Sequence, residues 1–184
     1  MGLKDLFITK RPQDAAARKL YESAVAQARR EVFYLSYGVP DSLDGRFEMV
    51  SLHVILLLRR IKQEEGEEAK AIGQALFDLM FADMDRSLRE MGVGDLGVAK
   101  RVKAMAQAFY GRLAAYDAAL KEDSEDALRK ALRRNLLGTL PEVEEAGLAA
   151  LSAYVLTQAG ALAEQGREAV LDGSLRFAEA PREP

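Results

Sequence analysis

Apolar residues recur every three or four positions along most of the chain, the spacing of amphipathic helices. From Gln13 onward, Leu20, Ala24, Ala28 and Val32 fall four apart, while Arg18, Lys19, Glu22, Arg29 and Arg30 lie elsewhere on the wheel. Gly38-Val39-Pro40-Asp41 breaks this first helix: a glycine suited to a C-cap is followed by a proline that cannot continue an upstream helix. Asp44 is the expected cap of a second helix, Arg46 to Lys62. Its middle, Leu52-His53-Val54-Ile55-Leu56-Leu57-Leu58, is apolar nearly all round and predicts a helix in the centre of the core. Arg59 and Arg60 end that run too soon for a membrane span.

The acidic joint Glu64-Glu65-Gly66-Glu67-Glu68 leads into a third helix, about Ala69 to Met91, with Ile72, Leu76, Met80, Met84 and Leu88 in a four-residue series. Gly92-Val93-Gly94-Asp95 closes it and caps a fourth, whose stripe runs Val98, Val102, Met105, Phe109, Leu113, Tyr116, Leu120. Lys100, Arg101 and Lys103 sit near its start, largely off that stripe. Asp123 or Ser124 opens a fifth helix with Leu128, Leu132 and Leu136 inward and Arg129, Lys130, Arg133 and Arg134 outward; Gly138 ends it. Thr139-Leu140-Pro141-Glu142 reads as a capping box for the sixth. That sixth helix holds 18 residues without a charge, Ala146 to Ala163, the lower edge for crossing a bilayer. Seven of them are alanine, and Ser152, Thr157 and Gln158 add polarity, so hydropathy favours a buried, closely packed helix. No stretch alternates with period two for long enough to be a strand. The expected class is all-α: a single compact domain of about six main helices over residues 13–173. A flexible N-terminal segment (1–12) and a frayed C-terminal tail (174–184) are expected to flank it. Leu3, Leu6, Phe7 and Ile8 could form a short apolar turn, but Lys4 and Asp5 interrupt any signal-peptide run.

Composition narrows the function. With 184 residues the chain has room for one real core, and 49% apolar with 30% charged residues is ordinary for a soluble globular domain. The absence of cysteine excludes a disulfide scaffold, a cysteine zinc site and a thiol nucleophile. A lone histidine, His53, excludes HExxH-type zinc chemistry. A net charge of −3 argues against a protein that coats nucleic acid, and no DNA partner is expected.

Four motifs invite chemistry. Gly92-Val93-Gly94-Asp95-Leu96-Gly97 matches GxGxxG, but that fingerprint needs a strand before the glycines, and here a helix precedes them; an interhelical turn is the better reading. Asp78, Asp83 and Asp85 invite a magnesium site for a diphosphate, yet their spacing is wrong, and Asp83–Arg86 and Asp85–Arg89 are favourable helical ion pairs. No metal site is expected there. His53, in the most apolar helix, reads as a hydrogen-bonded core residue. The basic clusters Arg59/Arg60/Lys62, Lys100/Arg101/Lys103 and Arg129/Lys130/Arg133/Arg134 read as solvated faces unless two of them converge, in which case ribosomal RNA or anionic headgroups become partners. Met80, Phe81, Met84 and Met91 put soft, adaptable apolar surface on the third helix.

Several segments in order along the chain carry a resemblance. They are Phe33-Tyr34, Gly38-Val39-Pro40-Asp41, Gly45-Arg46-Phe47, Leu52-His53, Phe77 through Asp85, Leu88 through Leu96, and Phe109-Tyr110-Gly111-Arg112. Over about Leu20 to Tyr116 the sequence resembles the ubiquinol–cytochrome c chaperone family; from Asp123 it matches only in helical character. The resemblance implies an assembly chaperone for ubiquinol–cytochrome c reductase that binds cytochrome b or its nascent chain, with no catalysis and no cofactor. Without a mitochondrial targeting segment the chain reads as a bacterial member, cytoplasmic or peripheral at the inner membrane. The family's mitochondrial members act with a small helical partner and at the ribosomal tunnel exit. Candidate contacts are therefore a ribosome or inner-membrane surface, and a small helical partner or a homodimer. Phe81, Met84, Met91, Tyr110 and Arg112 are the expected client-binding residues, and Lys100, Arg101, Lys103, Arg129 and Arg133 the expected basic surface. Two alternatives stay open: a Mg-dependent isoprenoid or diphosphate enzyme using Asp78, Asp83 and Asp85, and a peripheral membrane adaptor.

Overall fold

The computed structural model describes residues 11–179, and all regular structure among them is helical. Six long helices, α1 (Pro12–Ala28), α3 (Leu43–Ile61), α4 (Glu67–Glu90), α5 (Asp95–Lys121), α6 (Glu125–Asn135) and α7 (Glu145–Ala163), are joined by two short ones, α2 (Val32–Leu35) and α8 (Arg167–Leu171). The expected all-α class and six main helices are both found. The apolar turn expected at Leu3 to Ile8 lies outside the described residues.

The run Leu52–Leu58 predicts a central helix, and α3 is that helix: every residue from Phe47 to Leu57 is buried. A helix apolar on all sides needs neighbours on all sides. α1 and α4 cover one side of α3, α7 covers another, and α5 and α6 close the bundle beyond them. Leu20, Ala24 and Ala28 face inward from α1, as their spacing requires, and Ile72, Leu76 and Met80 do so from α4.

Three boundaries differ from the sequence expectation, each for a local reason. Ser42, not Asp44, caps α3, its hydroxyl accepting from the Gly45 N–H at 3.1 Å. The tight start is possible because Gly45 has no Cβ: one would sit 2.0 Å from the Pro40 carbonyl oxygen. The capping box at Thr139 is not used. α7 begins at Glu145, with Glu144 in the cap position, and residues 139–144 form an irregular connection. The tail does not fray at 174. Leu175 is buried and Phe177 packs on the core, so residues 174–179 lie as a strap along the body.

After Glu145, α7 carries no charge; it buries one face, Leu148, Leu151, Ser152, Tyr154, Val155, Gln158 and Leu162, and turns Ala153, Thr157, Gly160 and Ala163 outward. It is long and apolar enough to cross a membrane, and nearly half of it is enclosed by the protein.

Candidate functional site

The GxGxxG match falls between α4 and α5. Gly92 takes φ +81°, the Val93 N–H returns to the Leu88 carbonyl, and Gly94 precedes the first turn of α5. This is a glycine-terminated helix followed by a new one. The acidic cluster is likewise occupied. Asp83 pairs with Arg86 and accepts from the Tyr21 hydroxyl at 2.8 Å; Asp85 pairs with Arg89 at 2.6 Å; Asp78 accepts from Gln74 at 2.8 Å. Among the described residues no group of three or more acidic or histidine side chains is arranged to hold a metal ion.

One surface stands apart. Two adjoining clefts, of about 770 and 760 Å³, share Leu43, Phe47, Met84 and Ser87 and so make one continuous groove. The start of α3 and the second half of α4 form its floor. The first cleft runs toward α1 and α2, past Tyr21, Arg29, Tyr34 and Leu35. The second runs toward α5 and the end of α6, past Met91, Arg101, Met105, Arg112 and Arg134. Large apolar side chains at its rim face water: Leu35 is 71% exposed, Met91 51% and Leu43 49%. Isolated exposed leucines are unremarkable, but three gathered on one concavity mark a binding surface.

Polar groups in the second cleft are built in. Arg112 reaches from α5 to form a two-bonded ion pair with Glu48 on α3, both largely buried. Burial outweighs the arginine and holds the Glu48 carboxyl above its usual range. Tyr116, one turn beyond Arg112, is buried with its hydroxyl pushed up in pKa by that burial and by the Glu48 charge. Arg101 and Arg134 line the same cleft and make no ion pair among the described residues.

The structure sorts the expected site residues. Met84, Met91, Arg101 and Arg112 converge on the groove. Phe81 does not present a binding surface: at 8% exposure it is a core residue, in contact with Phe77 and Phe109 at ring distances of 4.6 and 5.8 Å. The reason is rotation. Phe81 sits about 100° around α4 from the inward Met80, with Met84 between them, and Phe109 of α5 covers that side of the helix. Tyr110 is exposed, against Phe77 at 5.4 Å, and lies outside the groove lining. Lys100 and Lys103 are exposed near the start of α5. Arg129 pairs with Glu125 at 2.7 Å and Arg133 with Glu145, so most of the α6 cluster is neutralised within the fold. Arg60 is buried, donating to the Gln165 carbonyl at 2.6 Å, and Arg59 faces Asp117 at 3.4 Å. Among the described residues, two basic clusters therefore send one member each to a shared cleft, Arg101 and Arg134. The spacing argument overlooks Leu35, Leu43 and Phe47. Leu43 carried a signal, as an apolar residue directly before the expected cap Asp44, where burial is not expected.

His53 is fully buried, as read from its apolar run. Its Nδ1 lies 2.8 Å from the Met49 carbonyl, so that nitrogen carries the proton; Nε2 then accepts from the Tyr154 hydroxyl at 2.7 Å. Burial pulls its pKa down to about 4, which keeps the ring neutral.

A family model described as Ubiquinol-cytochrome C chaperone matches residues 35–177. The Cbp3 homologue from Brucella abortus, a solved crystal structure, is 40% identical, with a TM-score of 0.82 over 98% of each chain. The Mus musculus protein named ubiquinol-cytochrome c reductase complex assembly factor 1 is 30% identical over 88% of this chain and 54% of its own length. Its Xenopus laevis namesake is 30% identical over 66% of this chain and 60% of its own. The chain thus spans about half the length of the curated relatives it matches.

Proposed function

The chain belongs to the ubiquinol–cytochrome c chaperone family, and from that premise we propose that it assists assembly of ubiquinol–cytochrome c reductase by holding newly made cytochrome b in the groove between α3, α4 and α5. One observation carries the reading: exposed Leu35, Leu43 and Met91 gather on a concavity whose floor holds Phe47 and Met84. A helix of a membrane protein still outside its bilayer needs such a surface, because its apolar face costs about 25 cal/mol for every Å² left in water. Methionines suit a client presenting different apolar faces, since the thioether chain repacks at low cost. Arg101 and Arg134 along one wall would meet acidic groups or helix C-termini of the client.

The proposed setting is the cytoplasm, at the inner face of the membrane. There the exposed Lys100 and Lys103 would face an anionic surface, a ribosome or headgroups, with attraction that weakens as salt rises. The test is deletion of the gene followed by measurement of cytochrome b and assembled ubiquinol–cytochrome c reductase. Both are expected to fall, and a gene carrying Met84→Asp with Met91→Asp is expected not to restore them. Unchanged levels in the deletion would remove the proposal.

A further inference from the structure

The groove leaves one feature of the fold unexplained: how the strap 174–179 is held. Two glutamines, Gln158 in α7 and Gln165 just after it, each grip one residue of it by both backbone groups. The Gln158 side-chain oxygen accepts from the Ala178 N–H at 2.8 Å while its amide donates to the Ala178 carbonyl at 3.2 Å. Gln165 does the same for Arg176, at 2.8 and 2.7 Å. Each primary amide so reproduces one rung of a β-ladder, and the chain runs antiparallel to α7. The gripped residues are two apart, the period of an extended chain, which sends Leu175 and Phe177 to the opposite face. Leu175 is buried, and Phe177 meets the His53 ring edge-on at 5.1 Å. Gln27 from α1 donates both to the Ala178 carbonyl and to the Tyr154 hydroxyl, closing the slot on its third side. The Arg176 side chain is exposed.

Recognition here has the form of peptide binding. Backbone groups supply the hydrogen bonds, alternate apolar side chains supply selectivity, and the intervening side chains face away. We infer that this slot is a binding site for an extended peptide with apolar side chains two apart, which the strap fills in cis and the same segment of a second copy of this chain fills in trans. The entry turn supports a discrete junction. Gly173, at φ +72°, lies so close to α1 that a Cβ would sit 2.4 Å from the Ala16 carbonyl oxygen, so the strap begins at a fixed point.

The test keeps the whole chain. A protease-cleavable linker is inserted between Gly173 and Ser174, the purified protein is cut, and retention of the Ser174–Pro184 fragment is followed by size exclusion, with circular dichroism reporting the body. The fragment is expected to stay bound and to exchange with excess labelled peptide of the same sequence. Peptide carrying Phe177→Asp should bind about fifty-fold more weakly, from the lost burial of one aromatic side chain. Peptide carrying Arg176→Glu should bind within about three-fold of the parent, because that side chain points away. Gln158→Met or Gln165→Met in the body should each weaken binding about ten-fold, the cost of an unmade backbone rung. Immediate loss of the fragment from a folded body, or unfolding of the body on cutting, would overturn the inference. So would equal losses for the two peptide variants.

Discussion

α3 meets two polar environments within about two turns of helix, and they are built on opposite terms. At His53 both ring nitrogens are matched inside the protein: Met49, Tyr154, Gln27, Gln158 and the strap form a connected set of donors and acceptors around a neutral ring. At Phe47 and Glu48 the fold satisfies one ion pair, Glu48 with Arg112, and leaves the rest open: apolar Leu43 and Met91 half in water, Arg101 and Arg134 without a carboxylate among the described residues. The sealed region spends its polar atoms on holding helices together. The open one costs the folded state exposed apolar surface and returns nothing to stability, so its use lies outside the chain. Stability measurements should therefore respond strongly at the first region and weakly at the second, and binding measurements the reverse.

The largest break in that contrast is expected at a residue that seems to belong to the groove in sequence and belongs to the core in space. Phe81→Asp removes a ring from the cluster with Phe77 and Phe109 and buries a carboxylate in its place. The expected cost is at least about 4 kcal/mol, much of the stability of a typical domain, so the variant should be unfolded or aggregated by circular dichroism. A folded Phe81→Asp protein with an unchanged melting temperature would mean that α4 and α5 do not pack as described.

Next is acidification of the sealed region. His53 titrates near 4 in the folded chain and near 6.5 when unfolded, so between those values the unfolded state takes up the proton first. Stability should fall as pH drops from 6.5 to 4 and level off below, by about 3 kcal/mol from this one group. Denaturant midpoints of the parent and His53→Gln across that range isolate the histidine from the carboxylates. Equal pH slopes in the two proteins would place His53 in a wetter site than the structure shows.

The sequence made the sealed region legible in part. The apolar run around His53 announced a central helix and a core histidine because helical burial on all sides leaves a one-dimensional signature. Its partners did not show: Gln27, Tyr154 and Gln158 are far apart in the chain, and nothing in their spacing says that they meet. The strap was unreadable for a related reason. Proline-containing termini usually fray, and what holds this one is two amides on another helix. At the groove, methionine and arginine positions could be nominated but not sorted. Phe81 and Met84 are three residues apart on the same helix, yet the placement of α5 buries one and leaves the other half-exposed. The family was legible in the resemblance, whereas the groove, which needs α3, α4 and α5 side by side, was not.

A smaller effect, of opposite pH sign, is expected from Arg112→Met. The substitution leaves Glu48 largely buried without its cation, at a cost of about 2 kcal/mol, moderated because the carboxyl can take a proton. Glu48 already titrates above the usual range, and the variant raises it further. A raised carboxyl stabilises below its unfolded pKa, and that advantage is lost as pH rises through the folded value. Arg112→Met should therefore lose more stability at pH 8 than at pH 5, where His53 moves the parent the other way. A loss independent of pH would show that Arg112 contributes packing rather than charge.

The smallest change in stability should come from the rim. Met91→Asp and Leu43→Asp replace side chains already half in water, so the folded state gives up little burial, and the melting temperature should move by no more than a degree or two, about 0.5 kcal/mol or less. If the groove receives an apolar helix, the same two variants place carboxylates where that helix must desolvate them, which is costly in a low-dielectric contact. Capture of cytochrome b, read by co-purification from cells producing each variant, should then drop at least about ten-fold while the protein remains folded. Loss of capture with unchanged stability is the combination that the sealed region cannot produce. Full capture by the double variant would move the client to another face of the bundle and leave the groove without an assigned occupant.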